Sequence, residues 1–131
     1  MRYLGVDYGL KKVGLALSEG QIASPFKVLD ISGLNDAVNK ILHVISKEEI
    51  DRVVIGVPDS GQVRTAVKKL ISKLKENLKN ETVSVIEADE TLSTNSAKNL
   101  MIDLGLGEKD RKKEDAYSAG IILQNFLDSL V

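Results

Sequence analysis

Apolar residues change their spacing several times along the chain, and each change marks an element. Residues 2 to 7 and 13 to 18 are dense in Val, Leu, Tyr and Ala. They read as two strands joined by a tight connection at Tyr8-Gly9-Leu10-Lys11-Lys12, most simply a hairpin. Residues 22 to 29 continue the meander as a third strand. Leu34, Val38, Ile41 and Ile45 then fall at helical spacing behind Ser32, a candidate N-cap, so a helix is predicted over 33–47. The unbroken run Val53 to Val57, with charges before it and Pro58 after it, has the pattern of a parallel strand buried on both faces. Val63, Val67, Leu70, Leu74 and Leu78 mark a second amphipathic helix, whose lysines read as its solvated face. Residues 82 to 88 make a fifth strand that ends in Asp89 and Glu90. A short helix over 93–104, a lysine-rich loop over 107–114 and a last helix from Asp115 to Leu130 complete the pattern.

Three strands in a meander followed by two helix-strand crossovers predict an α/β fold. Its sheet would be mixed and five-stranded in the order 3-2-1-4-5, with strands 1, 4 and 5 parallel and helices on its faces. Sites in such sheets lie at the carboxyl ends of the strands, near a switch in strand order. Strand 1 is expected to end at Asp7, strand 4 at Pro58-Asp59 and strand 5 at Asp89-Glu90, so neighbouring strands would bring acids to one edge. The last helix adds a fourth piece. Asp115, Ala119, Ile122 and Phe126 fall within roughly 60 degrees of arc at about 100 degrees per residue, so Asp115 heads the apolar stripe.

Composition narrows the classes. A length of 131 residues predicts a single domain over 1–131, and 43% hydrophobic with 28% charged residues argues against disorder. The formal net charge is −1, so a polyanion would have to be held by a local basic patch and not by the field of the whole molecule. The absence of cysteine excludes disulfides, thiolate metal sites and a cysteine nucleophile. No apolar leader precedes Asp7 and no apolar run approaches the ~20 residues of a membrane span, so a cytoplasmic protein with no membrane partner is expected.

Taken singly, each acid has a plain role. Asp7 suits a hairpin turn, Asp59 a turn or helix entry, Asp89 and Glu90 a strand end, and Glu114 and Asp115 a helix start whose dipole they complement. Taken together they pose a problem of charge. Carboxylates about 4 Å apart repel by about 4 kcal/mol at an effective dielectric near 20, so three on one edge require a cation or shifted protonation. Oxygen ligands without cysteine favour magnesium or manganese over zinc. Such ions would activate water and stabilise the leaving oxygen of a phosphodiester, chemistry that needs acids and no histidine base. His43 lacks a histidine or cysteine partner and reads as a surface or boundary residue. Lys11-Lys12 and Lys109/Arg111-Lys112-Lys113 sit next in sequence to Asp7 and Asp115. They are either solvated loops or holders of phosphate.

These residues also carry a resemblance. VDYGLKKVGLALS, VVIGVP, DETLST and KKEDAYSAGIILQNFL are similar, in order and across essentially the whole chain, to four motifs of the YqgF/RuvX family. The resemblance implies an RNase H-like fold and a metal-dependent nuclease that matures the 5′ end of pre-16S ribosomal RNA. By analogy to RuvC, it also implies Holliday-junction resolution. It implies Asp7, Glu90 and Asp115 as catalytic residues and Asp7, Asp89 or Glu90, and Asp115 as ligands of Mg2+ or Mn2+. Nucleic acid, either pre-rRNA or branched DNA, would meet Lys11, Lys12, Thr94, Lys112 and Lys113, with the protein acting as a monomer or homodimer. Two departures stand out: Thr91 replaces the usual arginine, and the segment after Pro58 is short and begins with Asp59. Both leave room for a non-catalytic RNA-binding assembly factor of the same fold. The Val-Asp-Tyr-Gly turn also resembles the phosphate loop of actin-like kinases, but those close two domains around nucleotide and this chain has room for one.

Overall fold

The computed structural model describes residues 1–89 and 114–130. Five strands, β1 (Tyr3–Tyr8), β2 (Lys12–Ser18), β3 (Ser24–Asp30), β4 (Arg52–Val57) and β5 (Ser84–Asp89), form one sheet in the order β3-β2-β1-β4-β5. β1 pairs with β2 and β2 with β3 in antiparallel fashion, while β1–β4 and β4–β5 are parallel. Two crossover helices, α1 (Leu34–Lys47) and α2 (Gln62–Leu78), lie on one face, and α3 (Glu114–Ser129) crosses the other. The order and strand directions match the sequence expectation. The helix expected over 93–104 and the lysine-rich segment up to 113 lie outside the described residues. Glu114, assigned to that segment from sequence, already belongs to α3.

Alternation along the strands divides the core in two. Leu4, Val6 and Tyr8 of β1, Val13 and Leu15 of β2, and Val53, Ile55 and Val57 of β4 turn to α1 and α2, where they meet Ile41, Val44, Ile45, Val67, Leu70 and Leu74. On the opposite face, Ala16 and Val54 meet Ala119, Ile122, Leu123 and Leu127 of α3. Tyr3 packs there against Phe126, with ring centroids 6.1 Å apart.

Three local expectations shift. β1 runs one residue past Asp7, because Tyr8 pairs with Val13 and is buried, so Asp7 stands inside the ladder and not at its end. β3 begins at Ser24 and not at residue 22, since Ile22 is exposed and the Ala23 N–H donates to a side chain of α3, Gln124 Oε1, at 2.8 Å. Ser32 is not the N-cap of α1. Gly33 takes that position with no side-chain cap, and the Ser32 N–H instead donates to Asp36 Oδ2 at 2.9 Å. A carboxylate in the first turn accepts more strongly than a hydroxyl and complements the helix dipole.

Candidate active site

Asp7 lies on the α3 face of β1, between Val6 and Tyr8, which point the other way. It is half-buried and pairs across the ladder with Gly14 of β2. Gly14 is where α3 touches down. A Cβ at Gly14 would stand 1.9 Å from the carbonyl oxygen of Asp115 and 2.8 Å from the Ala116 nitrogen, so only glycine admits the helix at this height. The same contact repeats along the helix. A Cβ at Gly5 would meet the Ala119 carbonyl oxygen at 2.8 Å, and one at Gly56 would meet Ile122 Cδ1 at 2.6 Å. Three glycines on three neighbouring strands therefore form a seam on which α3 rests directly on backbone.

The seam brings Asp7 and Asp115, from opposite ends of the chain, to one place on one face. Asp115 is half-buried in the first turn of α3.

Asp89 is placed differently. It pairs with Val57, whose side chain enters the α1–α2 core, and follows Glu87, which forms an ion pair with Lys68 of α2. Asp89 thus shares the carboxyl-terminal rim with Asp7 but stands on the opposite face of the sheet, exposed. Glu90, Thr94, Lys112 and Lys113 lie outside the described residues, as do Thr91, Lys109 and Arg111. Among the described residues, no three Asp, Glu, His or Cys side chains are grouped closely enough to hold a metal ion.

Lys11 and Lys12 are exposed at the hairpin connection. The Lys12 carbonyl closes it, accepting from the Gly9 N–H at 2.9 Å, and the Lys11 carbonyl accepts from the Ile31 N–H just after β3 at 3.0 Å. Because Val13 is buried on the α1–α2 side, Lys12 falls with Gly14 on the face of Asp7, one ladder step beyond Tyr8. Tyr8 itself faces the core, and burial pushes its phenol up, so it holds its proton at neutral pH. His43 is exposed on α1, as expected of a surface residue, and Asp59 is exposed in the turn before α2. That turn is closed by Arg64, whose Nη1 donates to the Pro58 carbonyl at 2.8 Å.

Two features that the acid pattern does not reveal support this arrangement. The glycine seam was legible only as isolated glycines inside strands, a pattern that marks close approach of backbone without saying what approaches. Gln124 is the other. It is 2% exposed on the sheet side of α3, accepts from the Ala23 N–H at 2.8 Å and donates to the Gln21 carbonyl at 2.8 Å and to Asp128 at 3.0 Å. It ties α3 to the β2–β3 connection and holds the helix on the seam.

The fold defines the class of protein. RuvC of Thermus thermophilus, solved with a Holliday junction substrate, superposes with a TM-score of 0.70 at 16% identity over 99% of this chain and 95% of that one. The Holliday junction resolvase of fowlpox virus superposes with a TM-score of 0.70 at 15% identity over 100% of both chains. At these identities the likeness is one of fold, which is RNase H-like. The family follows from the sequence relatives: residues 1–129 match the model of RuvX, described as a Holliday junction resolvase. The chain is 36% identical to the "Putative pre-16S rRNA nuclease" of Rickettsia canadensis over 97% of its length and 86% of that protein's. It is 34% identical to the protein of the same name from Desulforudis audaxviator over 98% and 95%. It belongs to the RuvX family. No helix among the described residues is long and apolar enough to cross a membrane.

Proposed function

We propose that this chain is a divalent-metal-dependent nuclease that cuts phosphodiester bonds in structured RNA, in the cytoplasm, and matures the 5′ end of the 16S ribosomal RNA precursor. The observation that carries the reading is the contact of Asp115 with Gly14, the ladder partner of Asp7. Two acidic residues whose backbones come this close on one face are suited to sharing a divalent cation.

The donor set suits magnesium or manganese, since it offers carboxylate oxygens, the chain has no cysteine, and its one histidine stands exposed on α1. Asp7 and Asp115 would hold the ion, together with one acid from the end of β5. Of that pair Glu90 is assigned in preference to Asp89, because Asp89 stands with Val57 and Glu87 on the opposite face. When bound, the metal supplies an activated water and charge compensation for the leaving oxygen. The protein's own share is position. β1 fixes Asp7 in the ladder, the seam fixes the first turn of α3, and Lys12 on the same face, with Lys11 beside it, engages phosphate oxygens and orients the strand. Thr94, and Lys112 and Lys113, which stand next in sequence to Asp115, join them in this reading.

The relatives named for pre-16S rRNA favour RNA, whereas the family description favours junction DNA. Junction resolution needs two active sites related by a two-fold axis. Incubation with a ribosomal RNA precursor and a four-way junction, each with manganese, separates the two, and sedimentation on the junction shows whether one copy or two binds. Precursor cleavage is expected, and Asp7→Asn is expected to abolish it while leaving circular dichroism and melting unchanged in shape. Cleavage that survives Asp7→Asn would overturn the metal-site assignment. Symmetric cuts confined to the junction would overturn the RNA assignment.

A further inference from the structure

On the other layer of the molecule, α2 carries a charge pattern that the proposed site does not use. Residues 62–78 hold Arg64, Lys68, Lys69, Lys73 and Lys75 against a single acid, Glu76, in a chain whose net charge is −1. The first turn of α2 contains no acid, so its dipole is uncompensated there. Arg64 and Lys68, and again Lys69 and Lys73, stand four residues apart, where like charges repel by about 0.2–0.5 kcal/mol per pair.

These cations line a shallow, open groove of about 520 Å³ along the exposed side of α2, with Thr65 and Ser72 between them and Leu34 of α1 at its edge. Lys68 is paired with Glu87, and Arg64 is engaged at Pro58. Lys69 and Lys73 are exposed, and among the described residues neither has an ion-pair partner. The Glu87 carboxyl is held below the usual range, first by its hydrogen bond from Lys68 and further by the attraction of Lys68, Lys75 and Arg64.

The groove opens at the rim that carries Asp7. Arg64 is fastened to Pro58, the residue after the carboxyl end of β4, and Ile55 of that strand pairs with Val6 of β1. Leu34 begins α1 just after β3, whose last residue, Asp30, pairs with Lys12. From Arg64 to Lys73 the helix covers about 14 Å at 1.5 Å per residue, room for several phosphates of one strand.

We infer that this basic groove holds the phosphodiester backbone of RNA flanking the scissile bond, led over the rim from Lys12 past Arg64 and down α2 to Lys69 and Lys73. The inference rests on the nucleic-acid reading given under Proposed function and adds to it a second contact surface on the layer opposite Asp7. It also gives the local basic patch that the net charge demands of a polyanion binder.

The test is binding without cleavage. The full chain carrying Asp7→Asn, with and without Lys69→Glu and Lys73→Glu together, is titrated with a fluorescent RNA hairpin bearing a long single-stranded flank and with the same hairpin lacking it, across a salt series. For the flanked RNA the double variant should lose about tenfold in affinity, and its salt dependence should fall in slope by about two, one for each phosphate contact removed. The bare hairpin should be unaffected. Lys69→Gln with Lys73→Gln should give a smaller loss of the same kind, and matched melting curves show that the loss is not unfolding. Equal affinity and slope for the two proteins would mean a solvated lysine face only. A loss independent of the flank, or confined to four-way-junction DNA run in parallel, would overturn the assignment to flanking RNA. In each of these cases the nuclease reading stands. Failure of the Asp7→Asn parent to bind any of the three nucleic acids would overturn both readings.

Discussion

The two faces of the sheet are packed in different ways. Toward α1 and α2 the contact is made by large side chains, Leu4, Leu15, Ile41, Ile55, Leu70 and Leu74 among them, all fully buried. Toward α3 the sheet adds glycine seats beside Ala16 and Val54, with Gly5 and Gly14 under helix backbone and Gly56 under the Ile122 side chain. An interlocked aliphatic layer stabilises by area removed from water and tolerates swaps that conserve volume. A backbone seam contributes less area, but it leaves no room for even a Cβ between helix and sheet. The seam lies on the face that carries Asp7 and sets the backbone of Asp115 against Gly14, the ladder partner of Asp7.

The sharpest way to break this contrast is Gly14→Val. The new side chain would overlap the Asp115 carbonyl, a backbone atom that no rotamer change moves aside. We expect a loss of about 3 kcal/mol or more by urea unfolding. Cleavage per folded molecule should fall by about 100-fold, as a displacement near 1 Å can cause. Wild-type stability in this variant would show that α3 does not rest on Gly14.

Leu74→Ala probes the other face. Burial at 0% exposure predicts a cost of about 2–5 kcal/mol, with cleavage per folded molecule unchanged, because the cavity opens on the layer away from Asp7. A loss of rate matching that of the Gly14 variant would erase the distinction between the faces. Gln124→Leu comes next. It keeps side-chain bulk but leaves the Ala23 N–H and the Gln21 carbonyl without their partner, at about 1–3 kcal/mol. Faster hydrogen exchange at Ala23 is the direct readout.

The smallest effect is expected at Asp36, far from the seam. Its carboxyl is held below the usual value of 3.8, first by the hydrogen bond from the Ser32 backbone and then by the bond from Lys40. A depressed folded pKa means the contribution is present above the unfolded value and disappears as pH falls through the folded one. Asp36→Ala should therefore lower the melting temperature slightly at neutral pH, and the difference from wild type should close below pH 3.8. A difference that persists in stronger acid would point to helix propensity and not to the carboxylate.

Much of the fold was legible in the spacing of apolar residues. The run Val53–Val57 is buried throughout as a parallel strand should be, and Leu34 through Ile45 and Val67 through Leu78 turn their apolar stripes to the sheet as their periods require. The buried stripe of α3 is wider than the arc from Asp115 to Phe126. Ala116, Gly120, Leu123, Gln124 and Leu127 are buried beside Ala119 and Ile122, because a helix lying on glycines sinks far enough to cover more than one arc of its surface. The ends of elements were the least legible. Ser32 looked like a cap until the Asp36 carboxylate, one helical turn on, took its N–H.

Local sequence determined the strands, the helices and the identity of the acids, since side-chain period and turn chemistry act over a few residues. Tertiary structure decided which acids share a face. One step along a strand reverses a side chain's direction, so Asp89 was assigned to a face only through its pairing with Val57, and Asp7 through its position between Val6 and Tyr8. The placing of the Asp115 backbone beside the ladder partner of Asp7 depends on a helix from the far end of the chain settling on Gly14, and an encounter between distant segments leaves no local period to read.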